Sequence, residues 1–197
     1  MMRTFVRQYT NEMEFSTERL FIRPVQLTDA EALFGFRSDP ECAEFMSSIP
    51  LSVAEMRERI QKTASEINQS GTWFQFVIFE KDERIVVGDI GLHFLASDTQ
   101  NKQVEVGYIL HKKYWGKGYA TEALMPIIDY LVYTLDKHRL VANIDPSNYP
   151  SIRLVEKLGF RKEGHLRESF FSKGKWVDDL VFAILTSEWK LRNSNNE

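Results

Sequence analysis

A glycine turn set between a strand pattern and a helix pattern constrains this chain more than any other feature: Lys113-Tyr114-Trp115-Gly116-Lys117-Gly118-Tyr119-Ala120. Residues 104–110 before it alternate as a strand, and from Tyr119 onward apolar residues recur as they do on a helix. Two glycines one residue apart let the backbone turn tightly and come close to a ligand. The helix behind them presents unpaired N–H groups and the positive end of its dipole to whatever occupies the turn. A pyrophosphate suits such a turn.

The rest of the chain reads as short strands and helices around it. Residues 1–17 show no period and are expected to be a loosely attached lead-in, residues 1–14 of it lying before the domain, from which Phe5, Val6 and Tyr9 could dock on the body. Residues 19–25 predict a strand, with Pro24 at its end or on an edge. Thr28 with Glu31 predicts a capping box and a short helix to about Asp39-Pro40. Residues 40–51 predict a loop carrying Phe45, Met46 and Ile49. Ser52 with Glu55 predicts a second capping box, opening a long amphipathic helix that runs past Ile67 to Gly71. Residues 73–79 and 85–94 predict a hairpin.

In the strand before the glycine turn, Val104, Val106, Tyr108 and Leu110 share one face and Glu105, Gly107 and Ile109 the other, so Glu105 stands in an otherwise apolar strand. The helix after the turn contains Pro126, which should kink it. Residues 140–144 predict a strand, and Asn148 leads into a short helix that Gly159 stops. Two more strands surround Ser172-Lys173-Gly174-Lys175, with Val181, Ala183 and Leu185 alternating, and residues 191–197 read as a polar tail. The sum is α+β: a mostly antiparallel sheet with helices on its faces.

A chain of 197 residues is long enough for one domain with a real core. Its net charge of -3 provides no broad basic field, so no direct nucleic-acid partner is expected. The single cysteine, Cys42, excludes an internal disulfide framework and a cysteine-based zinc site. His93, His111, His138 and His165 lack metal-ligand spacing, and no metal is expected. With no apolar leader among the first 13 residues and no long apolar run, the reading is a cytoplasmic protein without a membrane partner.

The glycine turn fits a dinucleotide fingerprint poorly. Such a fingerprint follows a first strand and needs an acidic residue at the end of the next, about 20 residues on. Asp136 is at that distance but precedes its strand. A Walker loop is excluded by the missing G-K-S/T. Specificity comes from a second segment, Asn148-Tyr149-Pro150-Ser151 through Gly159-Phe160. In this order and spacing the two segments resemble the GNAT superfamily of N-acetyltransferases. Lys113-x-x-Gly116-x-Gly118 is similar to its pyrophosphate loop, with lysine first. Thr17-Glu18-Arg19-Leu20, Arg23-Pro24, the run Trp115 to Ala123, and Gly164 through Arg167 leading to Gly174 and Asp178 resemble the RimJ/RimL-like branch. The resemblance covers residues 15–190.

It implies a GNAT fold of about seven strands, splayed in the middle to admit acetyl-CoA between residues 104–110 and 139–144. By this resemblance, backbone groups of Ile109, Leu110 and His111 pair with the pantetheine arm, and the Ile109 N–H serves as oxyanion donor. N–H groups from Gly116 to Ala120, Gly118 and Tyr119 included, hold the pyrophosphate, with Lys113 and Lys117 adding charge and Asn148 bonding the pantetheine amides. Glu105 matches a catalytic glutamate, or else is a structural carboxylate paired with a cation. Valine at 155 stands where many relatives carry a tyrosine that protonates the leaving thiolate. Ser151 is the substitute the branch suggests, and a serine satisfying backbone groups in a first helical turn is the plainer alternative.

His93 reads as a hydrogen-bonded strand histidine or as a cleft-facing group. Glu168 and Asp178 flank the last hairpin loop, near where relatives bind the acceptor, and Phe45 and Trp176 could wall that site. The activity implied is direct transfer of acetyl from acetyl-CoA to a primary amine, such as the N-terminal amine of a ribosomal protein. The alternatives are a small amine such as a polyamine or antibiotic, or a non-catalytic acyl-CoA-binding module. Exposed edge strands and the resemblance make a homodimer plausible.

Overall fold

The computed structural model describes residues 7–9 and 12–194. Nine strands form one sheet: β1 (Arg7–Tyr9), β2 (Glu12–Ser16), β3 (Leu20–Pro24), β4 (Trp73–Glu80), β5 (Val86–Phe94), β6 (Gln103–Leu110), β7 (Arg139–Ile144), β8 (Arg161–Ser172) and β9 (Lys175–Leu185). Their order is β1-β2-β3-β4-β5-β6-β7-β9-β8. Every neighbouring pair is antiparallel except β6 with β7, which is parallel.

Helices cover both faces because the strands alternate apolar residues to both. On one face α1 (Ala30–Arg37) and α2 (Val53–Gln61) bury Leu33, Phe36, Met56 and Ile60 against Val77 and Phe79. On the other, α3 (Tyr119–Asp129), α4 (Tyr149–Lys157) and α5 (Thr186–Ser194) pack on the larger core, which holds Phe76, Ile78, Ile90, Leu92, Val104 and Val106. Each fully buried side chain of this size contributes about 1.5–3 kcal/mol. The Arg37 guanidinium grips buried Asp89 of β5 through Nε (2.7 Å) and a terminal nitrogen (2.5 Å), which ties α1 to the sheet.

Several expectations need correction. The lead-in is not patternless: β1 and β2 lie there, and Phe15 of β2 is fully buried edge-on to Phe76 (5.7 Å) and Tyr130 (5.6 Å). Phe5 and Val6 lie outside the described residues. The polar tail is helical to Ser194, because Trp189 one turn earlier is buried and donates its indole N–H to Asp129 Oδ1 at 2.8 Å.

The helix expected to reach Gly71 stops at Gln61. Thr63 turns its hydroxyl back to the Ile60 carbonyl (2.7 Å), and the Ala64 N–H leaves the helix for the Trp73 carbonyl (2.7 Å). Ile67 still packs on the core, but from irregular backbone. The Ser52 cap forms, accepting from Glu55 N–H at 3.1 Å. The Thr28–Glu31 cap does not: Asp29 takes that work, accepting the Gln26 N–H (2.7 Å) and pairing with Arg23. Past Pro126, α3 runs into a π turn, Tyr130–Thr134.

Candidate active site

The parallel join between β6 and β7 holds only at Gln103↔Arg139, Val104↔Leu140 and Glu105↔Val141. Beyond Glu105 the strands part. β6 stays with β5 up to Leu110, while β7 follows β9 up to Ile144. Gly88 of β5 lets β6 lean that way, since a Cβ there would stand 2.2 Å from the Ile109 carbonyl oxygen. A cleft of about 900 Å³ opens in the gap.

Backbone polarity along β6 decides which groups line the gap. The Lys102 carbonyl accepts from Arg139 N–H (3.2 Å) on the β7 side, whereas the His111 N–H donates to Val87 O (2.8 Å) on the β5 side. Sides alternate along a strand, so the groups facing the gap belong to Val106, Tyr108 and Leu110. This corrects the expectation for Ile109 and His111. Both direct their backbone groups away from the opening, and the His111 carbonyl is also occupied, by Tyr114 N–H at 2.9 Å. Of the expected trio, Leu110 alone is suitably turned, with Trp115 Nε1 donating to its carbonyl at 2.9 Å.

At the mouth stands the glycine turn. Gly116 (φ 69°) and Gly118 (φ 80°) both sit in left-handed backbone, where glycine avoids the cost of a Cβ. Gly118 begins α3 without a side-chain cap, and the first internal bond runs from Glu122 N–H to Gly118 O (3.0 Å). The N–H groups of Tyr119, Ala120 and Thr121 are therefore presented to the cleft, which these residues line. The site fits a pyrophosphate on its own chemistry. Lys113 and Lys117 are exposed beside the turn rather than in the cleft wall.

Arg19 holds this turn from the β2–β3 connection. Its guanidinium donates to the Lys117 carbonyl (3.0 Å) and to Glu122 Oε2 (2.7 Å), and it stacks over the Tyr119 ring at 4.2 Å.

On the α1/α2 face of the sheet, behind Asn143 of the cleft wall and not themselves lining the cleft, Glu105 and His93 meet: Glu105 accepts from Asn143 Nδ2 (3.0 Å) through Oε1 and contacts His93 Nδ1 (3.2 Å) through Oε2. The His93 ring is stacked on Trp73, with centroids 4.6 Å apart and planes 7° apart. Across the register Asn143 pairs with Val181, which puts Asp179, two residues earlier on β9, on the same face. Burial raises the Asp179 pKa, and the charges of Glu105 and Asp145 raise it further. Asp179 was missed from the sequence, although the alternation of Val181, Ala183 and Leu185 points to it.

Asp178 faces the other way. It accepts the Glu168 N–H (2.8 Å) and meets His165 Nε2 at 2.6 Å. Those two contacts, the Glu168 bond first, hold its pKa below the usual range. Glu168 lies in a bulge of the outermost strand. Neither lines the cleft, and exposed Trp176 only meets Phe171 edge-on at the hairpin tip (5.4 Å). Lys173 at that tip instead donates to the Ala43 (2.8 Å) and Glu44 (2.7 Å) carbonyls, which braces the 40–51 loop against the hairpin. Phe45 of that loop does line the cleft.

From the α4 side, Asn148 Oδ1 caps the helix by accepting Ser151 N–H at 3.2 Å. Its oxygen is thus committed and its amide nitrogen is the part able to meet a ligand. Asn148 and Ser151 both line the cleft, while Val155 is packed in the core. Cys42 also reaches the wall, but burial raises its thiol pKa and it is no activated nucleophile. Among the described residues no cluster of three or more His, Cys, Asp or Glu could hold a metal ion, and no helix is long and apolar enough to cross a membrane.

A family model described as the acetyltransferase (GNAT) domain matches residues 19–161, most of the chain. The chain belongs to the GNAT acetyltransferase family. This GNAT protein is 37% identical to the N-acetyltransferase p20 of Bacillus licheniformis, over 88% of this chain and 96% of that one. It is 32% identical to the [ribosomal protein uS5]-alanine N-acetyltransferase of Escherichia coli, over 64% of each. Its fold superposes on the GNAT-family acetyltransferase from Bacillus anthracis with a TM-score of 0.78 at 29% identity, covering 89% of this chain and all of that one. The family uses acetyl-CoA as donor, and the chain is an N-acetyltransferase.

Proposed function

We propose that this N-acetyltransferase acetylates the α-amine of a protein N-terminus, taking the acetyl group directly from acetyl-CoA in a ternary complex. The observation that carries the donor half is the loss of β6–β7 pairing beyond Glu105, opposite the uncapped start of α3. The relation to the uS5-alanine enzyme supports the acceptor half.

In this reading acetyl-CoA supplies an activated thioester. The Tyr119 and Ala120 N–H groups hold its pyrophosphate, Lys113 and Lys117 add charge, and the Asn148 amide nitrogen meets the pantetheine arm. The Leu110 N–H replaces Ile109 as the donor aimed at the thioester carbonyl oxygen, a contribution of about 3 kcal/mol to the barrier. Glu105, steadied by His93 and Asn143, removes the amine proton, and Ser151 faces the leaving sulfur. Asp179 gives a cationic amine a partner on the acceptor side.

The test is CoA release from acetyl-CoA against N-terminal peptides, polyamines and aminoglycosides, with acetyl-CoA binding measured in parallel. Turnover with peptides is the expected result. Turnover with polyamines or aminoglycosides alone would replace the acceptor, and binding without any turnover would favour an acyl-CoA sensor.

A further inference from the structure

Among the described residues, one buried side-chain polar atom makes no hydrogen bond: the hydroxyl of Tyr108. Such a group is costly to leave unmade and needs an explanation. Tyr108 lies on the stretch of β6 that has lost β7, and it lines the cleft. Its side chain is on the face of Val106 and Leu110 and packs on the larger core, to which Val155 and Leu158 also belong. The polar side chain that acts on it is Ser151, in the first turn of α4. Burial is the larger influence and pushes the Tyr108 pKa up to about 12, so the phenol keeps its proton at neutral pH. It is available as a donor.

Ser151 lines the same cleft from the start of α4. Its N–H is held by Asn148 Oδ1 at 3.2 Å, which fixes the turn that carries its side chain. One turn further on, Val155 is packed in the core and offers no hydroxyl.

We propose that Tyr108 and Ser151 act as a hydroxyl pair on the departing sulfur, with Tyr108 O–H donating to Ser151 Oγ and Ser151 O–H donating to sulfur. This rests on the acetyl-CoA reading given above. The amine N–C bond forms as the C–S bond breaks, the bonding pair stays on sulfur as a thiolate held by the Ser151 hydrogen bond, the amine proton passes to Glu105 and on to solvent, and the thiolate takes a proton from solvent as CoA leaves. No net proton leaves Tyr108. It is a positioning residue that aims the Ser151 hydrogen outward.

The test titrates CoA bound to the protein by the ultraviolet absorbance of its thiolate, which needs no acceptor. The bound thiol should ionise more readily than free CoA. In Tyr108→Phe and in Ser151→Ala its pKa should rise by about one unit, the worth of one hydrogen bond, and the double variant should go no higher than Ser151→Ala. Turnover in Tyr108→Phe should fall about tenfold, with KM for acetyl-CoA changed by less than about threefold. An unchanged thiol pKa in Tyr108→Phe alongside weaker CoA binding would assign the hydroxyl to the pantetheine amides and overturn the pair, leaving the transfer reading intact. Absence of CoA binding by the unmodified protein would remove both.

Discussion

Arg19 and Glu122, 103 residues apart, are joined across the mouth of the cleft: the carboxylate takes the Arg19 backbone N–H (2.8 Å) on one oxygen and the guanidinium (2.6 and 2.7 Å) on the other. Thr17 adds a third partner through its hydroxyl at 2.6 Å. The pair connects the β2–β3 turn to the first turn of α3 and, through the Lys117 carbonyl, to the glycine turn itself. Replacing Arg19 by alanine should therefore weaken acetyl-CoA binding about tenfold, measured by calorimetry, with kcat little changed. Unaltered affinity would show that the turn holds its shape unaided.

The same pair sets an acid limit on stability. Burial alone would raise the Glu122 pKa, but its bonds from Thr17 and Arg19 outweigh that and lower it. A depressed carboxylate stabilises the fold above its unfolded pKa, and that contribution is lost as pH falls through the folded value. Denaturant midpoints should drop on acidification below about pH 4.5, and less so in Glu122→Gln. Equal slopes for both proteins would remove Glu122 from the account.

Glu105→Gln keeps an oxygen for Asn143 but cannot take a proton. Turnover should fall by about 10²–10⁴-fold, with acetyl-CoA affinity unchanged. Retained turnover would move the base to Asp179 or to ordered water.

Asp178 and Asp179 are neighbours with opposite assignments. Asp179→Asn should raise KM for a cationic acceptor several-fold while leaving the melting temperature near that of the parent. Asp178→Asn should do the reverse, lowering the melting temperature by loosening the bulge at Glu168 while leaving KM near that of the parent. The reverse pattern would mean that β9 presents its other face to the acceptor.

Lys137 supplies an alkaline signature. It is 1% exposed, its ammonium bonds the backbone and side-chain oxygens of Asn101, and burial lowers its pKa to about 8. Between about pH 8 and 10.5 the unfolded chain holds this proton more tightly than the folded one. The Lys137 contribution to stability therefore rises with pH across that window. Lys137→Met should flatten this rise in denaturant midpoints measured from pH 8 upward.

The local signals in this chain concern short-range geometry, and those were legible. Gly116 and Gly118 are required by positive φ at the turn, Asn148 caps α4, and the alternation in residues 104–110 correctly divides β6 into a core face and a Glu105 face. Ser52 caps α2 for the same reason: a side chain and an N–H three residues away need nothing else. The family resemblance carried the splayed sheet, since no local pattern says where two strands part. What remained hidden depends on partners distant in sequence. Phe15, where the supposed lead-in meets the domain, finds Phe76 and Tyr130, Trp189, just before the supposed tail, finds Asp129, and Arg19 finds Glu122. The choice of Asp179 over Asp178, and of Leu110 over Ile109, turned on register, because shifting one residue along a strand reverses both side-chain face and backbone direction. Tyr108 read as core because it lies among apolar neighbours. Its unpaired hydroxyl became visible only when β7 left β6 and α4 brought Ser151 into range.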